Sequence, residues 1–331
     1  MPLPLSFLRT FQSSSPQEAW RKIFDHVWQE CFPSLQTASV EKEIVRRDRE
    51  VAMIDLVLST AGWDLWKHYE NCIEHTADAL VSWWQSHPKG KAILILDALS
   101  LREVPWILEG AKKYGYTVHQ AKATGAELPA DTLSFARALG FAQRSSLENN
   151  GAGASHKLAG AYTDSISSSW KDCMGFVPSQ PDCVFWHSWP DDRVHDFSVP
   201  GEGLVSLVKE SARQLGSEDF WNFIARLTTG RKLVLTSDHG YAASGYFPDT
   251  TEEKQTDYLK ARFKSGRFSP LLHDCGSWVP PIDLVLETSH GKNAYVLGCR
   301  KWKSSGGYPT LVHGGLSILE VAVPFIEISR Y

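Results

Sequence analysis

Carboxylates and imidazoles recur in this chain directly after short apolar runs, the pattern by which a protein gathers metal ligands at one end of a β-sheet. Residues 92–96 are continuously apolar and run straight into Asp97, with Ser100 three residues further on (LILDALS). Residues 182–186 are followed by WPDDRVH, which carries Asp191, Asp192 and His195. Residues 232–236 lead into Ser237, Asp238, His239 and Gly240, and His313, Gly314 and Gly315 stand just ahead of a last apolar run at 321–328. A thiol-free set of this kind suits hard, hydrolytic ions: Zn²⁺ first, with Mn²⁺ and Mg²⁺ as alternatives.

The elements that must position these residues are legible from periodicity. The first 90 residues read as helical. Ser15, Pro16 and Glu18 fit a capped helix start, and Trp20, Ile23, Phe24, Val27, Trp28 and Cys31 follow at helical spacing. A second helix is expected over 41–59 and a third over 63–84, before His87, Pro88, Lys89 and Gly90 break the pattern. From Lys91 the grammar changes. Strands are expected at 92–96, 116–120, 182–186, 232–236, 294–297 and 321–328. Helices fall between them at 102–114, near 131–139, and as one long segment over 204–226. Residues 146–180, rich in Gly, Ser and Asn, read as a long loop with one small helix. Strands alternating with helices predict an α/β fold, a largely parallel sheet sandwiched by helices and preceded by a helical N-terminal region. The expected division is 1–90 and 91–331.

The order and content of the four segments resemble the alkaline phosphatase superfamily and, within it, the PglZ-domain proteins. The resemblance spans roughly residues 91–331. It rests most on SDHGY after a strand and on HGGLSILEVAVPF in the closing strand. It implies two divalent metal ions. Carried over by position, Asp97, Asp238 and His239 would hold one ion, and Asp191, His195 and His313 the other. Val194 stands where the family segment usually has glycine, and Asp192 competes with Asp191 for the ligand role. Ser100 is the nucleophile candidate, since a family Ser or Thr attacks phosphorus and needs activation to do so. Ser100 also fits a helix N-cap, with Glu103 at the third helical position, and the two roles are compatible.

The resemblance implies a metal-dependent hydrolase of phosphate mono- or diesters, with nucleotides or nucleic acid among the candidate substrates. Protein partners in a bacterial phage-defence or signalling system are expected too. The alternative is a non-catalytic PglZ module that binds partners, with the aromatic-rich helices of 1–90 as its docking surface. ALSLREVP lacks the sulfatase spacing, and about 90 residues between Ser100 and Asp191 leave little room for a phosphomutase insert. No P-loop motif occurs, and GAGAS at 151–155 is too degenerate to be one. His195 with Asp196 evokes an all-helical HD phosphohydrolase, but here the pair follows a strand.

Bland readings cover the rest. His187, His273 and His290 read as structural or surface groups, and Arg262, Lys264 and Arg267 as a solvated basic stretch. The 331 residues hold six scattered cysteines with no C-x-x-C pair. The N-terminal sequence has no apolar signal core, and no stretch reaches membrane-span length. A reduced, cytoplasmic protein without a membrane segment is expected. Lys+Arg 34 against Asp+Glu 38 gives a net charge of −4. Two divalent ions would cancel that charge, so an anionic substrate is not excluded.

Overall fold

In a computed structural model of the chain, residues 3–35, 39–198, 203–243, 250, 252–272, 278–304 and 310–330 are described. Their strands are β1 (Lys91–Leu96), β2 (Thr117–Gly125), β3 (Tyr162–Ile166), β4 (Asp182–His187), β5 (Lys232–Thr236), β6 (Ala242–Ala243), β7 (Phe268–Ser269), β8 (Asp283–Thr288), β9 (Gly291–Val296), β10 (Leu311–Val312) and β11 (Ala322–Ser329). Six of them form the central sheet, in the order β2-β11-β5-β1-β4-β3. The pairs β1–β4, β1–β5 and β3–β4 are parallel, whereas β11 runs antiparallel to both β5 and β2. This is the largely parallel, helix-flanked α/β sheet that the alternation of elements predicts. All six residues of β1, of β4 and all eight of β11 are buried, which is why these strands read as continuous apolar runs.

The helices before β1 share the sheet's core. Trp20, Val27, Ile54, Trp66 and Tyr69 lie in one buried cluster with Leu94, Leu235 and Ile326. Helix Val40–Thr60 also sends charge inward. Arg102 Nε donates to Asp48 Oδ1 at 2.7 Å, and the Ile318 amide donates to Asp55 Oδ1 at 2.7 Å. The aromatics expected to present a docking surface are therefore largely interior.

Several boundaries differ from the sequence reading. The expected helix at 63–84 is cut at residues 73–75, where the chain turns extended and lies against the end of β2. The Gly125 amide donates to Glu74 O at 2.9 Å, and His75 bridges to Gly125. Sheet pairing there outweighs helical periodicity. The segment 204–226 is two helices, Leu204–Leu215 and Glu218–Leu227, because Ser217 caps the second through its hydroxyl. Residues 146–180 hold a strand, β3, with Thr163, Asp164 and Ile166 buried at the sheet edge. The expected strand at 294–297 falls in β9, outside the central sheet, in an antiparallel sheet of order β7-β9-β8. The basic stretch is a solvated face only at Lys264. Arg262 and Arg267 are buried and paired with Asp283 at 3.1 Å and Glu320 at 2.9 Å, because they plug that small sheet onto the core. His273 and Cys275 lie outside the described residues. Among the described residues no helix is long and apolar enough to cross a membrane.

Candidate metal centre

Strand register brings the acidic residues to one edge. Leu96 pairs with His187 and Ile95 with both Trp186 and Thr236, so β1, β4 and β5 end level with one another. The turns beyond them are then stitched together by the backbone. The Asp97 amide donates to His187 O and the Asp191 amide to Asp97 O, both at 3.0 Å. Ala98 adopts a left-handed φ of 61°, a conformation seldom taken without glycine, and its amide points at Asp238 Oδ1 at 3.0 Å. Ser237 Oγ donates to Leu96 O at 2.8 Å, tying the β5 turn to β1.

Gly240 sets the depth of the β5 turn. A Cβ there would stand 2.2 Å from Leu319 O, so only glycine allows this approach. His313 arrives by a second route: β10 pairs antiparallel with β6, with Val312 opposite Ala242, which lays the His313 ring on that of His239 at a centroid distance of 4.3 Å. Behind it, the Gly315 amide donates to Glu320 Oε1 at 2.9 Å, and Arg267 fixes Glu320 in turn.

Two groups of donors result, each with its ligand atoms mutually within 4.8 Å: Asp97, Asp238 and His239, and Asp191, His239 and His313. His239 Nε2 is 3.6 Å from Asp97 Oδ1 and 3.5 Å from Asp238 Oδ2. His313 Nε2 is 3.6 Å from Asp191 Oδ1, and His195 Nε2 is 3.2 Å from Asp191 Oδ2. His195 thus joins the site at its open side, with 64% of its side chain exposed, rather than within a triad. Asp192 turns away, accepting from Ser188 Oγ at 2.6 Å. Ser100 is fully buried; its hydroxyl accepts from the Arg102 amide and from Arg102 Nη1, and its own amide donates to Glu103. It caps a helix start. His187 is a core histidine, bonded through one ring nitrogen to Ser168 O and through the other to the Trp189 amide; burial takes it down to about 4.

Two residues at this edge escaped the sequence reading. Thr132, half-buried at the start of helix Thr132–Ala138, directs Oγ1 to Asp97 Oδ1 at 3.2 Å and to Asp238 Oδ2 at 3.0 Å. Arg144 Nη1 meets Asp97 Oδ2 at 2.6 Å, with a third of its side chain exposed. Asp131 preceding Thr132 signals a helix cap, but nothing local in the sequence tells that this cap faces Asp97.

Electrostatics favour a cation here. Burial first, then the charges of Asp238 and Asp191, hold the Asp97 carboxyl well above the ordinary carboxylate range. Burial alone would raise Asp191 too, but its hydrogen bond with His195 and the charges of His313 and His239 take it down to about 2. Burial, with His239 beside it, takes His313 down to about 4. Asp191 Oδ1, His239 Nε2 and His313 Nδ1 are buried without a hydrogen-bond partner. His239 Nδ1 lies 2.9 Å from Gly240 O, which can only accept. Nδ1 therefore carries a proton, and Nε2 is the ring nitrogen turned to the carboxylates, the orientation of a metal-ligating histidine. The residues fit a divalent ion.

No family model matches the chain, and no curated protein does. Among solved structures, it is similar to murine ectonucleotide pyrophosphatase/phosphodiesterase 5 in complex with AMP, at 12% identity and a TM-score of 0.45, over 73% of this chain and 88% of that one. A second structure of the murine protein matches over the same shares at 13% identity and a TM-score of 0.45. The human protein matches at 17% identity over 49% of this chain and 52% of that one, with a TM-score of 0.33. At these values nothing about activity carries over to this chain.

Proposed function

We propose that this chain hydrolyses phosphate esters with two divalent ions, and that the attacking hydroxyl belongs to Thr132. The observation that carries the reading is Thr132 Oγ1 within hydrogen-bond distance of two buried carboxylates, beside histidines that each keep a buried ring nitrogen without a hydrogen-bond partner. A single Nε2 lone pair serves a single ion. His239 therefore goes with Asp97 and Asp238 at one position, leaving Asp191, His313 and His195 for the other, the division that the PglZ resemblance also implies. When bound, the ions supply Lewis-acid activation of the hydroxyl and neutralise the phosphoryl oxygens.

The chain's own groups do the rest. Thr132 Oγ1 gives its proton toward Asp97 or Asp238 as the oxygen–phosphorus bond forms; the bond to the ester oxygen breaks, and the leaving oxygen takes a proton from water. Water then cleaves the phosphothreonine, returning the hydroxyl. Arg144 offers a guanidinium at the open edge, where its planar fork suits phosphoryl oxygens. Ser100, the candidate from sequence, serves on this reading as a helix cap. Zinc is the preferred metal, since imidazoles supply half of the six ligands. A cytoplasmic setting and protein partners in a defence system remain part of the proposal through the PglZ resemblance.

The test is metal content together with turnover of nitrophenyl phosphate mono- and diesters by the full chain and by Thr132→Ala, Ser100→Ala and Asp238→Asn. At least two ions per chain, turnover in wild type and Ser100→Ala, and none in Thr132→Ala are expected. Metal-replete wild type that holds less than one ion and turns over neither ester leaves the binding-module alternative standing.

A further inference from the structure

The end of the central sheet away from the metal centre holds buried cations that no carboxylate matches. β1 and β5 start there, and the antiparallel β11 ends there. Arg231, 9% exposed, stands just before β5. Its Nε donates to Pro181 O at 2.9 Å, its Nη1 to Leu227 O at 3.3 Å, and its Nη2 to Pro178 O and Gln180 O. All these acceptors are backbone carbonyls, and among the described residues no carboxylate stands at ion-pair distance from the guanidinium. Lys91, 8% exposed at the first position of β1, repeats the pattern, with Nζ donating to Trp84 O at 2.6 Å and His87 O at 3.0 Å. Carbonyls satisfy the hydrogen bonds but carry only partial charge, so two full positive charges stay uncancelled out of water.

The nearby carboxylates are engaged elsewhere. Asp182 Oδ1 accepts from the amides of Gly90 at 2.8 Å and Lys91 at 3.2 Å. Glu327 Oε1 faces Lys232 at 3.1 Å and His87 at 3.5 Å. Beside these groups lies a cavity of about 500 Å³, lined by segments 87–90, 228–232 and 329–330. Arg231 and Lys232 line it together with the exposed Lys89 and Arg330. Gly90 lets two of the segments meet: its φ is 94°, and a Cβ there would stand 2.7 Å from Gly230 O. Among the described lining residues none is Phe, Tyr or Trp, so an occupant is held by charge rather than by stacking.

We propose that this cavity binds a small phosphate compound, at a site separate from the metal centre. Lys89, Lys91, Arg231, Lys232 and Arg330 stand against Asp182 and Glu327, an excess of cations that calls for a multiply charged anion. Ammonium and guanidinium groups are the donors that phosphoryl oxygens take, and the cavity has the volume of a small-ligand pocket. Lys89 and Arg330 supply the direct donors, while Arg231 and Lys91, held by carbonyls, supply charge from behind. β1 spans Lys91 to Leu96 before Asp97, a length of about 20 Å, so a ligand held here does not touch Thr132 or the metal ligands. The bound anion cancels the buried charge and ties the segments before β1 and β5 together.

The test is equilibrium dialysis of the metal-loaded full chain against radiolabelled inorganic phosphate. A Lys89→Ala/Arg330→Ala double variant is expected to bind one phosphate fewer per chain than wild type, and to gain less melting temperature from added phosphate. Both side chains are exposed, so the variant keeps the fold. The difference between the two chains is read whether or not the metal centre holds phosphate of its own. Equal phosphate content and equal thermal gain in the two overturn the assignment. An equal loss in Lys157→Ala/Lys209→Ala, two exposed residues off this cavity, overturns it as well, since net charge then holds the phosphate. So does a short single-stranded DNA that binds wild type more tightly per phosphate group than inorganic phosphate and is released by the double variant, because the cations then serve a nucleic-acid backbone.

Discussion

Two buried charge clusters flank Gly240, and they are built on opposite plans. On one side, Arg102 donates to Asp48, Tyr241 O and Ser100, while the Tyr241 hydroxyl and the Ser100 amide satisfy Glu103. Arg267 and Glu320 repeat the plan below it. On the other side, three carboxylates face Arg144 and a set of histidines, and three acceptor atoms have no partner. Both clusters are desolvated, so solvent does not explain the difference. A cluster whose every charge is matched holds the fold, and one left with bare acceptors holds a place for a cation.

The sharpest way to break that contrast is a pair of hydroxyl deletions. Thr132→Ala is expected to lower turnover at least 10³-fold, or about 4 kcal/mol in barrier, with metal content intact. Ser100→Ala should leave turnover within about tenfold and cost about 1 kcal/mol of stability as a lost cap, read by denaturant unfolding. The reverse outcome moves the nucleophile back to Ser100.

Charge deletions test the same division on stability. Arg267→Met leaves Glu320 buried without its counter-charge, held only by the Gly315 amide and the Ser317 hydroxyl, and is expected to destabilise the protein by about 3–5 kcal/mol. Asp238→Asn removes one of several crowded carboxylates, so the metal-free variant should melt at or above the wild type. With zinc, the wild type should gain more melting temperature than the variant, which keeps only the Asp191, His195 and His313 position intact. A metal-free Asp238→Asn that is markedly less stable than wild type would erase the distinction between the clusters.

A further effect is in pH. Burial raises Asp55 from 3.8 to about 8, opposed by its hydrogen bond from the Ile318 amide. A carboxyl with a raised folded-state value binds its proton more tightly folded than unfolded. Its contribution is therefore complete below about pH 4 and is lost as the pH climbs through about 8. Asp55→Asn keeps the acceptor for Ile318 and should flatten the stability profile over that window in thermal melts.

What the sequence makes legible follows from how local each cause is. Residues 92–96, 232–236 and 321–328 show as strands because burial on both faces writes a predominantly apolar run, broken only at Lys232, Thr236 and Glu327. Asp97, Asp238 and His239 are visible because each follows such a run directly. β3 stays hidden, since an edge strand with Ser165 and Tyr162 half-covered carries no strong period. Thr132 stays hidden for a different reason. Its partner Asp97 is 35 residues away in the chain, and the contact arises from the packing of a helix start over two strand ends. His290, read as a structural or surface group, is turned inward by a hairpin whose docking no local pattern records.

The place of β11 has a consequence during synthesis. It lies between β5 and β2, so β2 has no strand to pair with until residues after Ala322 have been made. At about 5–20 residues per second the interval between Gly125 and Ala322 lasts on the order of 10–40 s. In its last part, from the completion of β5 at Thr236 until Ala322, the emerging chain carries a β5–β1–β4–β3 ladder with an unclosed flank on β5. The helices of residues 3–86, already made, are what can shelter that flank, and the last strand then enters the sheet as a wedge rather than as an added edge.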